Sequence, residues 1–247
     1  MFELVCEIEP PTKPELRKVR HQIGVLSQVA SSFLIPDNHI GRATVSSIAV
    51  AHEVAAMGGR SIACLNSRDR NLLGFQRDML TAAAYGVNEF LFVYGDKPMA
   101  GDRTSELTVR AMIEEARGLD FASGFRLGVT SGLRKVPAFK KAADFAFAQI
   151  CFSVPDLLRW REANPLSIPV YAGVMVLASS TMALRLAGTI PDISIPQSLI
   201  DRVAQDPRAG VDFACSQIEE IRASGAFDGV HLVPVSRYRE MALRLEN

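Results

Sequence analysis

The sequence predicts an α/β fold of the (β/α)8 TIM-barrel class, one domain over residues 1–247, with an extra helical pair before the last strand. Three observations carry this. Strand-like and helix-like periods alternate along the chain, the pattern of a parallel sheet wrapped in helices. Short apolar runs end abruptly on polar residues: Phe2-Glu3-Leu4-Val5-Cys6 runs into Glu7-Ile8-Glu9-Pro10-Pro11, Phe33-Leu34-Ile35 into Pro36-Asp37-Asn38, and Phe90-Leu91-Phe92-Val93 into Tyr94-Gly95-Asp96. Finally, 247 residues matches the size of such barrels. Their strands all open C-terminal ends on one face, so the polar stops converge on one pocket.

The first strand is expected at 2–7, with Val5 and Glu7 on one face. Pro10-Pro11 ends it, because proline cannot donate to a ladder. A helix at 13–28 and a strand at 31–35 follow. Thr44 is placed to cap a helix over 44–57, and Gly58-Gly59 stops it, since glycine takes the left-handed conformation cheaply. Strand 61–65 leads through Asn66-Ser67-Arg68-Asp69-Arg70-Asn71 into a helix at 71–85, with Asp69 or Asn71 as cap and Tyr85-Gly86-Val87 as stop. Strand 89–93 and helix 105–117, strand 125–129 and helix 135–142, then strand 146–151 and helix 154–162 continue the alternation. Strand 168–175 precedes a helix at 179–187 and the extra pair, 196–205 and 209–224, which Ser224-Gly225 ends. Strand 228–233 and a helix at 236–245 complete the pattern.

Charge balances at 27 Lys+Arg against 27 Asp+Glu, so no global field points to nucleic acid or an anionic membrane. No apolar stretch approaches the roughly 18–20 residues of a membrane span, and no signal-peptide pattern opens the chain; a cytoplasmic protein is expected. Self-association into a homo-oligomer stays open, since the oligomeric state leaves no clear trace in the sequence. Cys6, Cys64, Cys151 and Cys215 are too scattered for metal or redox spacing, and three lie in or beside apolar runs as buried thiols would. His21, His39, His52 and His231 show no ligand spacing either, so no metal is expected.

Several polar residues are candidates for chemistry. If the strand persists to Glu9, Glu7 and Glu9 point to one side, about 6.5–7 Å apart at Cα. Burial and a like charge both oppose ionisation of a carboxyl, which suits a proton donor near neutral pH; the alternative is a pair of solvated end-of-strand charges. The Asn66–Asn71 stretch offers either local caps and ion pairs or contacts to an anion or polar ring. Gly95-Asp96 lets backbone approach a ligand with a carboxylate beside it, or is an ordinary turn. Gln149 ends a very apolar strand, where a buried amide needs a partner: a flat heterocycle or a neighbouring side chain. His231, in an apolar strand, reads more simply as a satisfied core residue.

Taken together, Glu7-Ile8-Glu9-Pro10-Pro11, Leu65–Asn71, Tyr94-Gly95-Asp96-Lys97-Pro98, Ala143-Asp144-Phe145 with Gln149, and Gly229-Val230-His231-Leu232 followed by Arg237 resemble the methylenetetrahydrofolate reductases over nearly the whole chain. The resemblance implies reduction of 5,10-methylenetetrahydrofolate to 5-methyltetrahydrofolate by NADH or NADPH, normally through FAD. It implies that Glu7 is the general acid, that Asp96 and Gln149 hydrogen-bond the pterin, and that Arg237 approaches the folate's glutamate tail; Glu9 is a further substrate-binding candidate, and a folate is the expected partner. Asp37, Cys64, Asn66, Arg68, Tyr94 and Gly95 would face the cofactor.

The departures concern the flavin. Cys64 stands where the family commonly has histidine and Val233 where it has tyrosine; a Tyr-Pro-Glu-x-His stretch is replaced by the short Gly128–Lys135. Thr130, Ser131, Arg134 and Lys135, assisted by a helix N-terminus, would have to supply the phosphate contacts. A flavin-free reductase using NADH directly, a folate-binding one-carbon or methyl-transfer protein without reduction, and a glycosidase are the alternatives. The single Trp and four Tyr argue against the last.

Overall fold

Eight parallel strands close into a barrel in sequence order: β1 Glu3–Glu7, β2 Ser32–Ile35, β3 Arg60–Asn66, β4 Glu89–Val93, β5 Arg126–Ser131, β6 Phe145–Ile150, β7 Val170–Met175 and β8 Gly229–Val233, which pairs back onto β1. The computed structural model describes residues 2–189 and 193–246. Helices surround the barrel: α1 Arg17–Leu26, α2 Ser47–Ala56, α3 Leu72–Ala84, α4 Val109–Gly118, α5 Val154–Ala163, α6 Ser180–Thr189, α7 Gln197–Gln205, α8 Ala209–Ser224 and α9 Tyr238–Glu246. The extra pair before β8, α7 and α8, is present as expected.

Strand periodicity of two sorts the apolar residues into two layers. Cys6, Ile8, Phe33, Ile35, Leu65, Phe90, Phe92, Val230 and Leu232 pack outward against the helices. Val5, Leu34, Ile62, Cys64, Leu91, Phe145, Phe147 and Tyr171 fill the interior. Phe145 occupies the space beside Gly128, where a Cβ would lie 2.0 Å from its ring.

Several boundaries move, each for a local reason. Helix α1 starts at Arg17 rather than 13; Pro14 disfavours helical geometry at Lys13 and so delays the start. The cap of α2 is Ser46, which accepts from the Ile48 N–H at 3.2 Å, while Thr44 N donates to Asn38 Oδ1. Thr108 caps α4 through the Ala111 N–H, leaving 105–107 in the loop. The helix expected over 135–142 is a short 3-10 turn, Ala138–Ala142. Pro137 disfavours helical geometry at Val136 and so delays the start of the segment. The glycine stops hold: Gly58, Gly86 and Gly225 have φ of +83°, +70° and +64°.

Candidate active site at the C-terminal mouth of the barrel

β1 ends at Glu7, whose carboxylate lies 3.4 Å from His231 Nε2. The two side chains are 17% and 11% exposed. β8 pairs with β1 in the register Val5↔His231, so an inward Val5 brings an inward His231 alongside it, one step below Glu7. The imidazole stands edge-on to Phe147 with ring centroids 5.3 Å apart, and Phe147 stacks on Tyr171 at 4.9 Å. Cys64 completes this floor; burial, and then the charges of Glu7 and Asp37, push its thiol well above the usual range, so it stays neutral. All four cysteines are buried and unbridged.

Glu9 lies beyond the strand and is exposed. Its backbone N–H donates to Gln22 Oε1, while Gln22 Nε2 donates to the Glu7 carbonyl, and these bonds fix the chain as it leaves the mouth.

The loops after β2, β3 and β4 are tied to one another. Asp37 Oδ2 accepts from Asn66 N, Asn66 Nδ2 and Arg70 at 2.7–2.9 Å. Burial raises the Asp37 carboxyl against the pull of Arg70. Asn66 Oδ1 accepts from the N–H groups of Arg68 and Asp69, and its Nδ2 also reaches Asp69. Asn71, not Asp69, caps α3. Gly95 has φ of +84°, and a Cβ there would lie 2.6 Å from Asn66 Cβ: the close approach that requires glycine is to this asparagine. Asp96 is exposed and accepts from Ile40 N at 2.9 Å, holding a turn in which both Asn38 and Ile40 have positive φ. Arg68 lies over the Tyr94 ring at 4.1 Å.

On the opposite side, β6 carries a bulge. Phe147 pairs with Tyr171 but Ile150 with Gly173, so one extra residue is accommodated between them. Gln149 sits in this irregularity and is exposed rather than buried, with its Oε1 accepting from Ile150 N at 3.1 Å. With Arg134 and Lys135 it lines a cleft of about 770 Å3 bounded by Trp160 of α5. Ser131 is buried and its hydroxyl donates to Gly132 O, while the Thr130 carbonyl accepts from Lys140 Nζ at 2.7 Å. Arg237 follows β8, bonded to Glu240 at 2.9 Å.

Glu7, Asp96, Gln149 and Arg237 thus stand at the same end of the barrel, after β1, β4, β6 and β8. Within that face Glu7 meets His231 and Asp37 bonds Asn66, and the charges of both carboxylates act on Cys64. Arg70 reads in the sequence as a possible local ion pair and His231 as a core residue, while Lys140 carries no distinguishing signal. His231 did carry one, because it shares its strand face with Gly229 and Val233, which point at the barrel axis with Val5.

Several of the residues expected to face a flavin are engaged within the protein. Asp37, Asn66 and Ser131 use their polar atoms within the protein. The segment after Lys135 forms a 3-10 turn instead of an α-helix, so the N–H groups and dipole of a helix N-terminus are missing beside residues 130–135. Among the described residues, no group of three or more His, Cys, Asp or Glu could hold a metal, and no helix is long and apolar enough to cross a membrane.

Fold and site define a (β/α)8 barrel with a part-buried glutamate at its C-terminal mouth. Residues 133–245, which include Gln149, His231 and Arg237, match the family model of methylenetetrahydrofolate reductase, in line with the resemblance in the sequence. No curated protein matches the chain. Among solved structures, an uncharacterized protein from Clostridium thermocellum described as binding two copies of 5-methyl-5,6,7,8-tetrahydrofolic acid is 12% identical with a TM-score of 0.67, covering 99% of this chain and 93% of that one. The Bacillus cereus spore cortex-lytic enzyme SleL is 10% identical with a TM-score of 0.55, covering 99% of this chain and 74% of its own. At such identities the likeness is one of fold.

Proposed function

We propose that this protein reduces 5,10-methylenetetrahydrofolate to 5-methyltetrahydrofolate, with Glu7 as general acid and NADH or NADPH as hydride donor. One observation carries the reading: Glu7 stands part-buried at the mouth against His231, which belongs to the segment matching the reductase family. Glu7 gives its proton to the bridge nitrogen N10. The N10–methylene bond then breaks with its electron pair going to nitrogen, leaving an iminium at N5. A hydride from the nicotinamide reduces that carbon to methyl. One proton and one hydride are consumed per turnover. Asp96 and Gln149 are assigned to the pterin, and Arg237 and Glu9 to the outer part of the folate.

Direct transfer from the nicotinamide, without FAD, is the version preferred here, because Asp37, Asn66 and Ser131, expected at the flavin, spend their polar atoms inside the protein. The test is twofold. NADH oxidation that depends on methylenetetrahydrofolate is expected, from a purified protein without a flavin band between roughly 350 and 500 nm. A yellow protein would return FAD to the electron path, and oxidation indifferent to folate would sink the reductase reading.

A second reading, a folate-binding protein without reductase activity, is favoured by the C. thermocellum barrel, whose ligand is the product of this reaction. Saturable binding of 5-methyltetrahydrofolate with no NADH oxidation would select it.

A further inference from the structure

We propose that Gln217 of α8 positions Gln149 through Cys151 and the β6 bulge, so that Gln149 donates its amide to an acceptor on the pterin ring; the ligand half of this proposal rests on the folate reading. Gln217 is 2% exposed on a helix whose buried neighbours Ala214, Ile218 and Ile221 are apolar. Its Nε2 donates to the Cys151 carbonyl at 2.6 Å, while its Oε1 is buried without a hydrogen-bond partner among the described residues. A buried carbonyl left unpaired forfeits the hydrogen bonds it had in water, so this amide is a poor way to stabilise a core. An apolar side chain of the same length would pack there without that loss. What the amide does supply is a fixed direction for Cys151.

Cys151 follows the last residue of β6. Its N–H donates to Gly173 O at 3.3 Å, its carbonyl is the one that Gln217 holds, and its thiol donates to Ser153 O at 3.4 Å. Ser153 in turn caps α5 through the Asp156 N–H. Before Cys151, the ladder pairs Phe147 with Tyr171 and then Ile150 with Gly173, which leaves one extra residue on β6. It fits because β7 carries glycine there: a Cβ on Gly173 would lie 2.7 Å from Ile150 N and 2.8 Å from Ala148 O. The bulge is therefore pinned at its base by the ladder and at its top by Gln217.

Gln149 stands inside that pinned segment. Its Oε1 accepts from Ile150 N at 3.1 Å, which leaves Nε2 as the end of the amide open to a ligand. With Lys135 and Trp160 it lines the cleft at the mouth. A donor set in place by backbone suits a ring carbonyl or an unprotonated ring nitrogen, and rejects a second N–H. Once Cys151 is released, the bulge is no longer pinned along β6, and a slip of one residue turns a side chain to the other face of the sheet. Gln217 does not itself line the cleft, so its influence reaches a ligand through the backbone.

Two measurements on the full chain test the clamp and its effect on the ligand separately. Gln217→Met exchanges one unpaired carbonyl, the amide's own, for another, that of Cys151, so the urea midpoint is expected within about 0.5 M of the parent. A larger fall would make Gln217 a stabilising core residue and overturn the proposal. Hydrogen–deuterium exchange over residues 148–152, followed by mass spectrometry, is expected to quicken about tenfold in this variant while that of α3 keeps the parent's rate. Unchanged exchange over 148–152 would overturn the clamp, whatever the protein binds. Binding of 5-methyltetrahydrofolate, read by calorimetry, is expected to weaken about five- to tenfold in Gln217→Met and about tenfold in Gln149→Ala, with the double variant within about twofold of Gln149→Ala alone. Effects that multiply in the double variant, or parent-like binding in Gln217→Met, would overturn the positioning of Gln149. No binding by the parent would remove the folate reading and the ligand half together, with the exchange measurement still deciding the clamp.

Discussion

At the N-terminal end of the barrel, Glu3 accepts hydrogen bonds from Ser32, Arg60 and Tyr171 at 2.5–2.6 Å, and Arg60 and Arg126 both reach Glu89. At the C-terminal end of the same strand, Glu7 faces His231 at 3.4 Å without a hydrogen bond. Both ends place carboxylates in the barrel interior, and they treat them in opposite ways. The lower network satisfies its charges within the protein and plugs the barrel; the upper pair leaves bonding capacity for a ligand. This is the division of labour of the fold, stability below and chemistry above. It teaches that the function of a barrel glutamate is read from what remains unpaired around it.

The sharpest way to break this contrast is at Glu7. Glu7→Gln is expected to lower methylenetetrahydrofolate-dependent NADH oxidation by about 100- to 10,000-fold while thermal unfolding stays near that of the parent. Equal turnover in the two proteins would remove Glu7 from the acid role.

Glu3→Gln should do the converse, destabilising the fold by about 2–3 kcal/mol in urea titrations with kcat little changed. A large fall in kcat would erase the distinction between the two ends. The pH dependence sharpens it further. Burial pushes the Glu3 carboxyl up, but the bonds from Ser32, Tyr171 and Arg60 bring it below its ordinary value of 4.5. A carboxyl so lowered contributes its full stability above that value and loses it as pH falls through the folded-state value. The stability gap between parent and Glu3→Gln should therefore be constant near neutrality and close in acid, and a gap that widened in acid would contradict the assignment.

Smaller effects are expected around the rim. Gly95→Ala places a methyl against Asn66 in a backbone with φ of +84°, so a loss of about 1–3 kcal/mol and weaker folate binding should follow, read by calorimetry. Asp96→Ala frees Ile40 N and is expected to weaken folate about tenfold, one hydrogen bond's worth, with NADH affinity held. A change confined to NADH would count against the pterin assignment. Smallest is Lys140→Met. Burial lowers the Lys140 ammonium, which donates to the Thr130 carbonyl, so its removal should change stability by no more than about 1 kcal/mol, in either direction.

Much of this architecture could be read from local pattern. Apolar runs located all eight strands to within about two residues, glycine stops marked the ends of α2, α3 and α8, and the alternation of Val5 with Glu7 pointed the acid inward. Less legible were features made by contact between distant segments. Gln149 reads as a buried amide from its apolar strand, yet a bulge against Gly173 leaves it exposed. Gly95 suggests room for a ligand, and Asn66 fills that room. Thr44 reads as the cap of α2, yet Ser46 takes that place and the Thr44 N–H is tied to Asn38.

The sequence by itself determined the strands, the helices, the parallel barrel and the position of Glu7 at a strand end, because period and turn chemistry act over a few residues. Tertiary structure alone decided that His231, on the last strand, meets Glu7 on the first, and that Asp37 and Asn66 serve the scaffold. Those outcomes depend on closure of β8 onto β1 and on loops packing across the mouth, which no local pattern encodes.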